Sequence, residues 1–249
     1  MNKVVKFGGS SLADAGQFKK VGAIIHDDSS RRYVIPSAPG KRFPSDIKVT
    51  DMLYQCYAKA VADIDFSELL TAIKDRYQEI IDELQLDLSL DKEFEIISEN
   101  FKNKIGKCYA ASRGEYLNGI VMASYLDFEF IDAADVILFD ENENCMLDET
   151  NELLQERLKG CEYAVIPGFY GRREDGTIQT FSRGGSDVTG SLVAKAIHAD
   201  MYENWTDVSG FLVADPRIIK NPASIEVITY KELRELSYMG ATVIHESAM

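Results

Sequence analysis

The residues best suited to chemistry lie in FSRGGSDVTGSLVAKAI, positions 181–197. Gly184 and Gly185 separate Arg183 from Ser186 and Asp187, and Val188, Leu192, Val193 and Ala196 follow at helical spacing. A β-prone run over 176–181 comes first, so the order is strand, glycine turn, helix. Free N–H groups and the positive dipole end at such a helix start attract an anion. Glycines let the backbone approach it closely, and Arg183 adds a planar fork that suits a carboxylate. Ser186 or Asp187 is expected to cap the helix. A plain capped helix after a tight turn is the competing reading.

Three further clusters have similar chemistry. Lys6 ends the apolar strand run KVVKF and directly precedes Gly8, Gly9 and Ser10. A lysine there can hold a transferring phosphoryl group while backbone N–H groups share its charge. The lysine precedes the glycines, so this is no Walker A loop. A surface lysine beside a turn would look the same. In YENWTDVSGFLVADPR, 202–217, Thr206 and Asp207 at a strand's end can bond a ribose or base, and Arg217 can reach phosphates. Asp215-Pro216 as a turn and Trp205 as core would also account for that stretch. In ASRGEYLN, 111–118, Glu115 either favours the dipole of a helix starting at 114 or faces a substrate ammonium.

The elements that must position these residues alternate. Strands are expected over 3–7, 33–35, 129–132, 136–139, 163–166, 201–205 and 226–228. Helices are expected over 14–26, 50–62, 66–84, 92–104, 114–126 and 230–238. Asp175-Gly176 marks a hairpin within 168–181. The segment 41–48 is expected to be a basic, mobile loop, 140–150 an exposed acidic stretch and 208–221 a loop. No strand signal occurs over 50–126, which reads as a helical layer or lid. Strands alternating with helices indicate an α/β sandwich with its ligand crevice at the strands' carboxyl ends.

The chain's 249 residues suffice for one large domain. A net charge of −14 argues against a nucleic-acid partner. The four cysteines, Cys56, Cys108, Cys145 and Cys161, form no CxxC pair and match no zinc spacing, so free thiols in a reducing compartment are expected. No signal-peptide pattern and no membrane-length apolar run is visible, and the expectation is a cytoplasmic protein without a membrane partner.

Taken together, KFGGSS at 6–11, SAPG at 37–40, VTD at 49–51, SRGE at 112–115, SRGGSD at 182–187 and WTDVSGFLVADPR at 205–217 resemble aspartate kinases of the amino acid kinase family. Each motif is modest; their joint order is specific and runs from Lys3 to His245. The resemblance implies a three-layer α/β/α sandwich with a mostly parallel central sheet, the amino acid kinase (carbamate kinase-like) fold. It implies transfer of the ATP γ-phosphoryl group to the side-chain carboxylate of L-aspartate, giving 4-phospho-L-aspartate, the first step toward lysine, threonine and methionine. Mg²⁺ would arrive on the nucleotide phosphates, with no metal held by the protein alone. By the same resemblance Lys6 stabilises the phosphoryl group and Asp187 orders the centre with it. Gly8, Gly9 and Ser10 line the phosphate path. Ser37, Thr50 and Glu115 face the aspartate, Glu115 near its ammonium. Arg183 holds the α-carboxylate, and Thr206, Asp207 and Arg217 face the nucleotide. A homodimer is implied as well.

The pattern departs from the family at three positions. Thr242 stands where a phosphate-contacting lysine is usual, Glu246 replaces a proline, and Leu212 replaces a tyrosine near the base. Lys41 or Lys48 is the candidate to supply the missing charge. Family members continue past this point with closing strands and a pair of ACT-type regulatory domains. Residues 1–249 are therefore expected to be a catalytic domain truncated at its C-terminus, without feedback inhibition. Two alternatives stay open: a nucleotide-binding relative without turnover, and a kinase with another carboxylate acceptor.

Overall fold

The computed structural model describes residues 1–182, 184–206, 210, 219–229, 231–233 and 235. In chain order the elements are β1 (Lys3–Phe7), a 3-10 turn (Gly9–Leu12), α1 (Ala15–Asp27), β2 (Arg31–Pro36), α2 (Val49–Val61), α3 (Ser67–Glu83), α4 (Asp91–Lys102) and α5 (Lys107–Leu126). Then come β3 (Glu129–Phe130), α6 (Ala133–Val136), β4 (Leu138–Phe139), α7 (Leu147–Leu158), β5 (Ala164–Val165), β6 (Tyr170–Arg173), β7 (Ile178–Thr180), α8 (Gly185–Ala196) and β8 (Met201–Trp205).

The main sheet has the order β3-β5-β2-β1-β8, and every pairing in it is parallel. Strand alternation sorts its side chains onto two faces. Val5, Phe7, Val34 and Val165 enter one apolar core, which α1–α5 cover. Val4, Tyr33, Ile35, Ala164 and Ile166 enter the other, with Val188, Leu192 and Val193 of α8 and Leu154 of α7. Burial on both faces is why the inner strands β1, β2 and β5 carry the apolar stretches Val4–Val5, Tyr33–Ile35 and Ala164–Val165. The result is a three-layer α/β/α sandwich. A smaller sheet, β4-β6-β7, contains the expected hairpin, with β6 and β7 antiparallel.

Parallel strands end at one edge. Beyond β1 lie Gly8 and Gly9, beyond β2 Ser37–Gly40, and beyond β8 Thr206. The chain leaves β1 for β2 through α1 on one face and enters β8 from α8 on the opposite face. This is the switch point at which open α/β sheets form a ligand crevice.

Several expectations are corrected. Residues 147–150, expected to belong to the exposed acidic stretch 140–150, open the helix α7, because Thr150, Leu154 and Leu158 are buried four residues apart. Within 136–139, Val136 ends α6 and only Leu138–Phe139 is strand. The segment 226–228 is not a strand. The cap of α8 is Gly184, in the left-handed region at φ 58°, with no side-chain cap; Ser186 and Asp187 lie inside the first turn. α5 starts at Lys107, so Glu115 sits mid-helix and the dipole reading of this carboxylate lapses. Arg183, Asp207, Leu212, Arg217, Thr242 and Glu246 lie outside the described residues, as do most of the expected loop 208–221 and helix 230–238.

Candidate active site

The cleft at the carboxyl edge has a volume of about 690 Å³. It is lined by Gly8, Gly9, Ser10, Ser37, Pro39, Gly40, Lys41, Phe43, Pro44, Lys48, Thr50, Glu115 and Thr206, with Ala38. Seven of the candidate residues therefore meet: Gly8, Gly9, Ser10, Ser37, Thr50, Glu115 and Thr206. They come from five places in the chain, brought together by the shared direction of β1, β2 and β8 and by the close approach of α2 and α5.

Lys6 and Asp187 form an ion pair beside this cleft, Nζ to Oδ1 2.8 Å, each side chain 13 % exposed. Strand parity explains the contact. Lys6 shares the face of Val4, toward α8, whose first turn presents Asp187. On the neighbouring strand the register partner of Lys6 is Asn204, whose Nδ2 donates to the same carboxylate oxygen at 3.3 Å. Ser186 links the pair to the cleft, because the Ser37 hydroxyl donates to its Oγ at 3.1 Å.

The glycine turn is held tightly. The Gly8 N–H donates to the Trp205 carbonyl, and the Gly40 N–H donates to the Gly9 carbonyl at 2.7 Å. A Cβ on Gly40 would stand 2.6 Å from the Gly9 carbonyl carbon, and one on Gly9 would stand 2.7 Å from the Ala38 carbonyl oxygen. Only two glycines allow these segments to touch along their backbones.

Glu115 is 7 % exposed, and its Oε2 has no hydrogen-bond partner among the described residues. Burial pushes its carboxyl up to about 8, against a smaller opposing effect of the Ala38 N–H. An ammonium placed against this carboxyl would favour its charged form and displace the proton.

Sequence reasoning missed three features. Asn118, one turn after Glu115, donates from Nδ2 to the Ser37 carbonyl at 2.7 Å and so fixes the β2 end; the three-residue spacing on a helix was the available signal. Phe43 and Pro44 extend the cleft wall, with nothing in the sequence to mark them. Arg113 is buried with its guanidinium over the rings of Tyr109, Tyr116 and Tyr170 at 4.6, 4.3 and 5.4 Å. It braces the helix behind Glu115, a contact only the fold creates.

A glycine-walled crevice at the switch point of a parallel sheet, with a lysine–aspartate pair at its side, defines an α/β protein equipped to hold anions. The amino acid kinase family matches residues 1–249, and the chain belongs to that family. It is 39 % identical to aspartokinase 3 of Bacillus subtilis over 261 residues, covering 99 % of this chain and 58 % of that protein. The solved aspartate kinase of Clostridium acetobutylicum, an allosteric enzyme, is 54 % identical with a TM-score of 0.93, over 99 % of this chain and 56 % of that one. E. coli aspartokinase III, solved with aspartate and ADP, is 25 % identical with a TM-score of 0.83, over 100 % and 58 %. The chain thus spans between 56 % and 58 % of the length of these relatives. Among the described residues no helix is long and apolar enough to cross a membrane.

Proposed function

We propose that this chain is the catalytic domain of an aspartate kinase, transferring the γ-phosphoryl group of MgATP to the side-chain carboxylate of L-aspartate. The observation that carries this reading is the meeting, at one cleft, of a glycine turn flanked by Lys6 with a buried carboxyl, Glu115, suited to an ammonium. The likeness to solved aspartate kinases, one of them holding aspartate and ADP, supports it.

The acceptor carboxylate is already ionised at neutral pH, so the reaction needs no general base. Catalysis reduces to positioning and charge neutralisation. Lys6 is aimed by Asp187 and carries the charge of the transferring phosphoryl group. The N–H groups at Gly9 and Ser10 and the start of α8 share it, and Gly8 lines the phosphate path with its own N–H tied to Trp205. Glu115 receives the substrate ammonium, with Ser37 and Thr50 beside it. Arg183 is assigned to the α-carboxylate, and Thr206, Asp207 and Arg217 to the nucleotide. Mg²⁺ enters with ATP as part of that substrate. A cytoplasmic homodimer working at the entry to lysine, threonine and methionine synthesis belongs to the same reading.

The test is aspartate-dependent ADP release from MgATP, with hydroxylamine trapping the acyl phosphate. Trapped hydroxamate with aspartate, absent with glutamate or N-acetylglutamate, is the expected result. ATP binding with no aspartate-dependent turnover would overturn the assignment for this chain.

A further inference from the structure

Arg76, on α3, is 4 % exposed and does not line the cleft. Its Nη1 donates to the Ile47 carbonyl at 2.8 Å, and its Nη2 donates to the Gly40 carbonyl and, at 3.5 Å, to that of Ala13. Asp46 Oδ2 lies 3.4 Å from the same nitrogen. Arg42 holds that carboxylate from the other side through its backbone N–H and Nε, at 3.0 and 2.9 Å. The guanidinium therefore grips both ends of the wall that carries Lys41, Phe43 and Pro44, one residue short of Lys48. The grip continues inward, because the N–H of Gly40 bonds the Gly9 carbonyl. The next residue of α3, Tyr77, donates its hydroxyl to the Gly114 carbonyl at 2.7 Å, directly before Glu115. One helix thus braces two walls of the cleft.

Burying a guanidinium costs free energy that an apolar side chain would avoid, and here desolvation works against its charged form. What the charge obtains in return is a planar fork joining the carbonyls at both ends of the 40–48 wall to that of Ala13, which neither lysine nor a neutral side chain supplies.

We propose that Arg76 is a positioning residue: it fixes the 40–48 wall and, through Gly40, the glycine turn that receives the phosphates. The proposal rests on reading this cleft as the MgATP and aspartate site.

The test uses Arg76→Ala and Arg76→Lys in the full chain, with hydrogen exchange and steady-state kinetics read side by side. Loss of the fork is expected to speed exchange at the Gly40, Arg42, Asp46 and Val49 amides about tenfold or more, leaving α5 and β2 unchanged. The KM for MgATP is expected to rise about tenfold with kcat within about threefold, since a loosened wall must be ordered on binding. Millimolar guanidinium should restore KM in the alanine variant. The lysine variant keeps the charge but not the fork; it should show the same confined change and remains decisive where the alanine variant does not fold. Unchanged exchange at the four amides, or uniformly faster exchange with a wild-type KM, would overturn the proposal. If the wild-type chain shows no aspartate-dependent turnover, the functional reading fails, and the exchange data still decide whether Arg76 holds the wall.

Discussion

Replacing Glu115 by Gln keeps the side chain's size on α5 and removes its titration. In the folded chain burial lifts this carboxyl from 4.5 to about 8. Between those limits the folded state keeps a proton that the unfolded chain has released. Stability therefore falls as pH rises: the contribution is complete below about 4.5 and is lost as pH passes through about 8. The slope is about 1.4 kcal/mol per pH unit, on the order of 5 kcal/mol across the window. Glu115→Gln should lack this component, so its stability relative to wild type should improve steadily with pH. Urea unfolding from about pH 5 to about pH 9 measures the difference, and subtracting the two proteins cancels every other titrating group. Binding gives a second reading. An ammonium ligand draws the carboxyl into its charged form, so aspartate binding below about pH 8 should release a proton, seen as heat that varies with the buffer. The variant should lose that release, and its KM for aspartate should rise about a hundredfold, the scale of one charge-assisted hydrogen bond. Parallel stability curves for the two proteins would refute the burial reasoning; an unchanged KM would remove Glu115 from the aspartate site.

Lys6→Met should lower kcat by about 10²- to 10³-fold, the effect of losing one donor to a developing charge, and should also destabilise the fold because Asp187 loses its ion pair; a stopped assay and thermal melting check the two effects separately. Gly40→Ala places a methyl against the Gly9 backbone, so a loss of about 1–3 kcal/mol is expected from urea unfolding, with weaker ATP binding by calorimetry. Lys41→Ala combined with Lys48→Ala removes two cations from the cleft mouth and should raise the KM for ATP about tenfold, less so at high salt; an unchanged KM would show that neither replaces the lysine absent at Thr242.

The fold class was legible because the inner strands β1, β2 and β5 are largely buried and strands alternate with helices. Such strands carry short apolar runs, and the bounds of β1 match the expected 3–7; the edge strand β8, MYENW, is only partly buried and matches the expected 201–205. α7 was hidden by its acidic surface, which outweighs three buried residues in a twelve-residue helix. Glycine turns with adjoining charges marked Lys6, Gly8, Gly9, Ser10 and Asp187 as candidates, because such local chemistry is written in consecutive residues.

Sequence alone determined which residue types were on hand and which elements carried them. Tertiary structure decided which of them meet. Whether Lys6 faces α8 or the opposite layer depends on strand parity within the packed sheet. The protonation of Glu115 depends on the burial of α5, which begins seven residues before the expected start. The contacts of Arg76 with Gly40, Ile47 and Ala13 span up to 63 positions. Nothing in residues 70–84 announces them, because long-range polar contacts leave no periodic trace and exist only once the chain has closed on itself.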